Sequence, residues 1–152
     1  MSLLKKKLKE EDYKNLTDDE IRYYKNELDW CKLEFHKYKK LSEPIIREFR
    51  HKFSRDYISC NQRLSESFMR EYENELNWYL ISWVQSLSES FIEEKIDKLD
   101  MYKVCVHQKL SENFMRKYKD RIIWKTCSQY QVLSESFIRE FANKVDWDHI
   151  IR

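Results

Sequence analysis

Residues 85–94 read "QSLSESFIEE", and the "LSESF" that begins at Leu87 decides how the whole chain folds. The same five residues begin at Leu64 and Leu133, and near copies begin at Leu41 ("LSEPI") and Leu110 ("LSENF"). These five leucines stand 23 residues apart. Self-similarity at a fixed period of a few tens of residues marks a solenoid or array, in which each unit buries its apolar face against the next. A weaker copy starts at Leu16, where "LTDDEI" replaces "LSESFI" and two extra residues precede Leu41; the last copy stops at Arg152, twenty residues in. The expected organisation is an N-terminal basic helical segment or cap over 1–15, then six tandem helical hairpins at 16–40, 41–63, 64–86, 87–109, 110–132 and 133–152.

Composition fixes the class of element. Gly is absent and Pro occurs once, so the turn residues that hairpins of strands need are missing. The expected fold is all-α, an α/α solenoid of stacked two-helix repeats. Charged residues are 37% of the chain but nearly cancel at +2, which makes no electrostatic case for nucleic acid. Aromatic residues reach 15%, too many for a disordered polar tract. No apolar run approaches the roughly 18 residues of a membrane span, and "MSLLKKKLKEEDYKN" lacks the apolar core of a signal peptide. A soluble, cytoplasmic chain is expected, with no membrane partner.

Cys31, Cys60, Cys105 and Cys127 fall at different places in the repeat, and only "CVH" at 105–107 comes near a metal-ligand spacing. Free thiols in a reducing compartment are expected, with no metal and no cofactor.

Counting each Leu of "LSE" as position 0, position 1 is Thr17, Ser42, Ser65, Ser88, Ser111 or Ser134, and an acid follows. A hydroxyl that accepts from free backbone N–H groups, then a carboxylate at the positive end of the helix dipole, starts a helix. Position 13 repeats the device with Asp29, Ser54, Asn77, Asp100 and Asp146; Ile123 is the one that fails. The spacing predicts a first helix of about 11 residues and a second of about 8. Positions 4, 5, 8 and 12 of the first helix and 14, 17, 18 and 21 of the second are expected inside. Trp30, Trp78, Trp124 and Trp147 share position 14, and Gln62, Gln85, Gln108 and Gln131 share position 21, where they could form a hydrogen-bonded ladder. On the outer face of the first helix, pairs such as Glu43/Arg47 and Glu112/Arg116 lie four apart and neutralise one another. A second row is expected from Glu48/Lys52, Glu94/Lys98 and Glu140/Lys144.

The pattern LSExFIREFxxKVDWxxIxxxQ, carried by "LSESFIREFANKVDWDHIIR" (133–152) and "LSESFMREYENELNWYLISWVQ" (64–85), resembles the short tandem repeats of giant DNA viruses of amoebae. The resemblance covers Leu16 to Arg152 and implies a repeat protein acting in a host cytoplasm or packaged in a virion. Arg55 and Met101 in place of Trp, and Lys95 in place of an aromatic, depart from it.

Function is expected where the copies disagree, at positions 15, 16, 19 and 20 of the second helix. Tyr57, Tyr79, Trp83, Tyr102, Val106 and Tyr130 put aromatic and aliphatic groups there, the composition of a partner-binding surface. The competing reading is that the N-terminal segment or the curvature of the stack covers this face. No catalytic set is visible: the four His sit at different repeat positions, and a GxSxG or phosphate-binding glycine loop cannot exist without Gly. The expected function is a non-enzymatic scaffold for a protein partner. A structural, self-associating virion component is the alternative, and RNA binding ranks last because no basic residue keeps one repeat position beside the aromatics.

Overall fold

The computed structural model describes residues 8–35 and 40–150, and among these it contains thirteen α-helices, one 3-10 turn and no strand. In chain order the helices are α1 (Glu10–Tyr13), α2 (Asp18–Tyr23), α3 (Trp30–Phe35), α4 (Glu43–Phe49), α5 (Arg55–Asn61), α6 (Glu66–Glu71), α7 (Trp78–Val84), α8 (Glu89–Glu94), α9 (Met101–His107), α10 (Glu112–Lys117), α11 (Trp124–Tyr130), α12 (Glu135–Glu140) and α13 (Trp147–Ile150). From α2 onward, first and second helices of the repeat alternate, and the fold is an all-α solenoid of stacked helix pairs. The chain forms two compact units, residues 1–76 and 77–152. Their boundary falls between the two helices of the 64–86 repeat, not at the end of a repeat. Among the described residues no helix is long and apolar enough to cross a membrane.

The helices begin where the hydroxyl and amide side chains are. The side chains of Ser65, Ser88, Ser111 and Ser134 accept from the backbone N–H three residues on at 3.1–3.2 Å, and Thr17 does so in a capping box with Glu20. Ser54, Asn77 and Asp100 cap α5, α7 and α9 in the same way. Ile123 gives α11 no side-chain bond, although its backbone (φ −96°, ψ 98°) matches that of Asn77 (φ −88°, ψ 99°).

The first helices are shorter than their spacing predicts. They run six or seven residues and stop at position 8, where Tyr72, Lys95, Tyr118 and Phe141 have φ of −108° to −112° and ψ of 16° to 31°. One separate turn follows, closed by bonds such as Glu75 N–H to the Tyr72 carbonyl at 2.8 Å. That turn brings position 12 inward, so Leu76, Leu99, Ile122 and Val145 are buried as an unbroken helix would also have buried them. Apolar spacing is therefore blind to the break.

Each second helix of unit 2 packs on the next, α7 on α9, α9 on α11 and α11 on α13. Positions 4, 5 and 17 are buried in the repeats that begin at Leu41, Leu64, Leu87 and Leu110, as in Phe91, Ile92 and Val104. The glutamine row is a ladder. In unit 2, Gln108 Nε2 donates to the Gln85 carbonyl at 2.8 Å while its Oε1 accepts from Leu87 N–H at 3.0 Å. Gln131 repeats this with the Gln108 carbonyl (2.8 Å) and Leu110 N–H (3.0 Å), and in unit 1 Gln62 accepts from Leu41 N–H at 2.8 Å. Each glutamine thus satisfies backbone groups of a linker too short to pair them itself.

Position 18 ties neighbouring repeats a second time. Glu34 accepts from Ser54 N–H (2.6 Å), Ser82 from Asp100 N–H (2.9 Å) and Ser128 from Asp146 N–H (2.9 Å). Cys105 fills this place between α9 and α11: buried, it accepts from the buried Cys127 thiol and from Ile123 N–H, and these bonds hold its pKa below the ordinary thiol value. Cys127, as the donor, is pushed up.

The charged rows also run between repeats. The acid at position 2 accepts from the next repeat's capping serine, Glu43 from Ser65 Oγ at 3.0 Å and Glu89 from Ser111 Oγ at 2.9 Å. Arginine at position 6 reaches the acid at position 7 one repeat on: Arg22 to Glu48 (2.9 Å), Arg47 to Glu71 (3.1 Å) and Arg116 to Glu140 (2.8 Å). Between α8 and α10 the charges are exchanged, and Glu93 at position 6 meets Lys117 at position 7 at 2.8 Å. The expected bonds four residues apart also form at Arg47–Glu43 and Arg116–Glu112. In the second row Glu48 and Glu140 instead accept arginines of the preceding repeat, and Lys144 pairs with Asp120 at 3.1 Å. Such exposed pairs are screened by solvent and matter more as a matching code than as stability.

Candidate partner-binding surface

The sequence of α7, WYLISWV, places Trp78, Ile81 and Ser82 inside and leaves Tyr79 and Trp83, four residues apart, on the opposite side. In α9, one repeat on, Val104 and Cys105 are inside and Tyr102 is outside. Asn77 and Asp100 cap the two helices and fix where each turn starts. Tyr79 is 50% exposed, Trp83 45% and Tyr102 49%, a large exposure for side chains of this size.

Lys103 organises these rings. Its ammonium lies 4.7 Å from the centroid of the Trp83 ring, 5.3 Å from Tyr79 and 5.7 Å from Tyr102, within the range where a cation is attracted to a ring face. His107, one turn further along α9, lies 6.1 Å from Trp83. The result is a half-buried cation among exposed aromatic groups. No Asp or Glu occurs within α7, α9 or α11; the Asp100 carboxylate that caps α9 accepts from Lys103 N–H at 3.0 Å, while neither the Lys103 nor the Lys125 ammonium forms an ion pair among the described residues.

Three of the six residues expected at a binding face are therefore together: Tyr79, Trp83 and Tyr102. Val106 is half-buried on α9, and Tyr130 is 50% exposed on α11 but makes no ring contact among the described residues. Tyr57 is not on an outer face. It is 4% exposed in unit 1, stacks on Phe53 at 5.5 Å, and burial pushes its hydroxyl pKa up to about 12. Position 16 fails as an outward position in four of the second helices, where Tyr57 and Thr126 are buried and Leu80 and Lys103 half-buried, although Lys32 in α3 is exposed. A stacked helix has neighbours on both flanks as well as beneath it, so only the narrow stripe at 15, 19 and 20 meets solvent. Lys103 was readable as basic, but its role depends on rings one repeat away. The signal that finds it is the pairing of aromatic residues at 15 and 19 with a base at 16 of the next copy.

Among the described residues, unit 1 has no equivalent. Its α5 presents Asp56, Cys60 and Asn61, and Arg55 stands where α7 and α11 carry Trp. Trp78 and Trp124 pack on the next repeat's Phe91 and Phe137 at 6.2 Å and 6.1 Å. Arg55 instead donates to the Leu76 carbonyl, leaving a cavity of about 200 Å³ lined in part by Phe68 and Tyr72. Among the described residues no group of three or more His, Cys, Asp or Glu could hold a metal ion, and the four cysteines are free thiols.

No family model, curated protein or solved structure matches the chain.

Proposed function

We propose that this protein is a non-enzymatic helical-repeat scaffold that binds a protein partner through the outer face of α7 and α9. The observation that carries the reading is the exposure of Tyr79, Trp83 and Tyr102 beside a core already filled by Trp78, Ile81, Phe91 and Val104. Tyr and Trp are the usual anchors of interfaces, because they bury much area while ordering few torsions. Repeat arrays confine such variation to one side, since the shared positions are committed to stacking.

The test is the double change Tyr79→Ala, Trp83→Ala in the full chain. Loss of an anchoring aromatic commonly costs an interface about 2 kcal/mol or more, whereas exposed substitutions stay within about 0.5 kcal/mol of folding stability. Partners captured by the wild-type chain from expressing cells, identified by mass spectrometry, should be lost to the variant while its Tm stays within a few degrees. A variant that unfolds would show that these rings belong to the core, and one that keeps every partner would move the interface elsewhere.

A further inference from the structure

We propose that the segment bound by this face is acidic, a peptide whose carboxylate meets Lys103 while an adjoining apolar side chain lies on Tyr79, Trp83 and Tyr102. This rests on the partner-binding reading above and adds the chemistry of the ligand. Positive charge is left over on this face. In unit 2 four bases of the first-helix side are matched across repeats, Arg116 with Glu140, Lys117 with Glu93, Arg121 with Asp97 and Lys144 with Asp120, all at 2.7–3.1 Å. On the second-helix side no acid occurs within α7, α9 or α11; Asp100 is spent capping α9 through the Lys103 N–H, and the ammonium groups of Lys103 and Lys125 form no ion pair among the described residues.

Lys103 differs from a solvated surface lysine in two respects. The residue is half-buried and its ammonium lies within 4.7–5.7 Å of three ring centroids, so the charge is held in place. A lysine ammonium also has three donors, and ring faces do not satisfy them as oxygen does. An incoming carboxylate would find a positioned, weakly screened cation whose ordering cost folding has already covered. Such pairs fix register and discriminate against partners of like charge. A peptide carrying Lys or Arg at that point would meet Lys103 and His107 directly.

Aromatic rings beside bases can also stack single-stranded nucleic acid, but that mode needs a basic groove that follows the backbone. Here the first-helix side is self-neutralised and the face offers Lys103 and Lys125 with no continuous row between them, so a carboxylate fits better than a polyphosphate.

The experiment is selection of a phage-displayed random dodecapeptide library on the full-length chain, with oligouridylate titrated in parallel. The expected result is a set of binders enriched in Asp and Glu beside apolar residues. Their affinity should fall as salt rises, be abolished by Trp83→Ala, and weaken roughly tenfold in Lys103→Met, which keeps the stem and removes the charge. Circular dichroism and Tm of each variant check folding, and Tyr102→Ala substitutes for Trp83→Ala if the latter is not folded. Binders sensitive to Trp83→Ala but without acid enrichment, or indifferent to Lys103→Met, would overturn the acidic ligand and leave the docking face standing. An absence of binders that depend on the rings would overturn both. Oligouridylate binding that is lost in Trp83→Ala, with no acidic peptides selected, would replace the peptide by nucleic acid.

Discussion

Helices α5 in unit 1 and α9 in unit 2 hold the same place in the repeat and show solvent opposite characters. Inside, Ile58 and Ser59 of α5 correspond to Val104 and Cys105 of α9, all buried. Outside, Asp56, Cys60 and Asn61 correspond to Tyr102, Val106 and His107. The difference teaches that stacking fixes the inner face and both flanks of each helix and leaves one narrow stripe free to vary. A surface can then be written on one repeat without changing the joint beneath it.

The strongest way to break that comparison is to damage the shared interior. Phe68 and Phe91 occupy position 4 in units 1 and 2 and are 1% and 0% exposed. Changing either to Ala is expected to cost about 3–5 kcal/mol in denaturant unfolding. A large cost in one unit and almost none in the other would mean that the interiors are not equivalent.

The glutamine ladder gives the next largest effect. Gln62→Ala and Gln108→Ala each leave buried backbone groups without partners, which is expected to cost about 1–3 kcal/mol, measured as a shift of the urea midpoint. Unchanged midpoints would show that water serves those linkers equally well.

Two substitutions sharpen the comparison by gain of stability. Ile123→Asp gives α11 the cap that α9 has in Asp100, on a backbone already in the right conformation, and should stabilise by about 1 kcal/mol. Arg55→Trp fills the unit 1 cavity with the residue found in α7 and α11, and should raise stability by about 0.5–2 kcal/mol, seen as a higher Tm. A drop in Tm for Arg55→Trp would mean that the bond to the Leu76 carbonyl matters more than the empty space.

The smallest effect is acid sensitivity. The Ser134 hydroxyl and amide hold the Glu112 carboxyl below its ordinary pKa. At Glu43 burial works in the other direction, and the Ser65 amide and hydroxyl with Arg47 outweigh it. A carboxyl with a lowered folded-state pKa adds stability that is complete above its unfolded value of about 4.3 and is lost as pH falls through the folded value. Stability should therefore decline below about pH 5, less so in Ser65→Ala and Ser134→Ala.

Much of this fold was legible because each repeat restates its own start. Ser88 and Ser111 announced caps, Phe91 and Ile92 the core, and Gln108 and Gln131 a ladder. The break at position 8 was not legible, because Tyr72 or Lys95 suits a helix and only φ and ψ end it there. Tyr57 was misplaced for a related reason: periodicity along one helix separates two sides, whereas Tyr57 is covered by the Phe53 ring of the segment that leads into α5. For the candidate surface, Tyr79, Trp83 and Tyr102 could be read from position alone. Lys103 could not, since its three rings come from two different repeats.

The exchanged pair Glu93–Lys117 bears on how an array of near-identical copies keeps its length. Genes made of tandem repeats lose or gain copies by misalignment, and deleting residues 41–63 would leave Arg22 facing Glu71, still an opposite pair. Excising residues 110–132 would instead set Glu93 against Glu140, two acids in a place where every other joint described has opposite charges, while Asp97 would still find Lys144. The reversed polarity makes that copy hard to delete cleanly, so its place in the order of the array is written into the charges themselves.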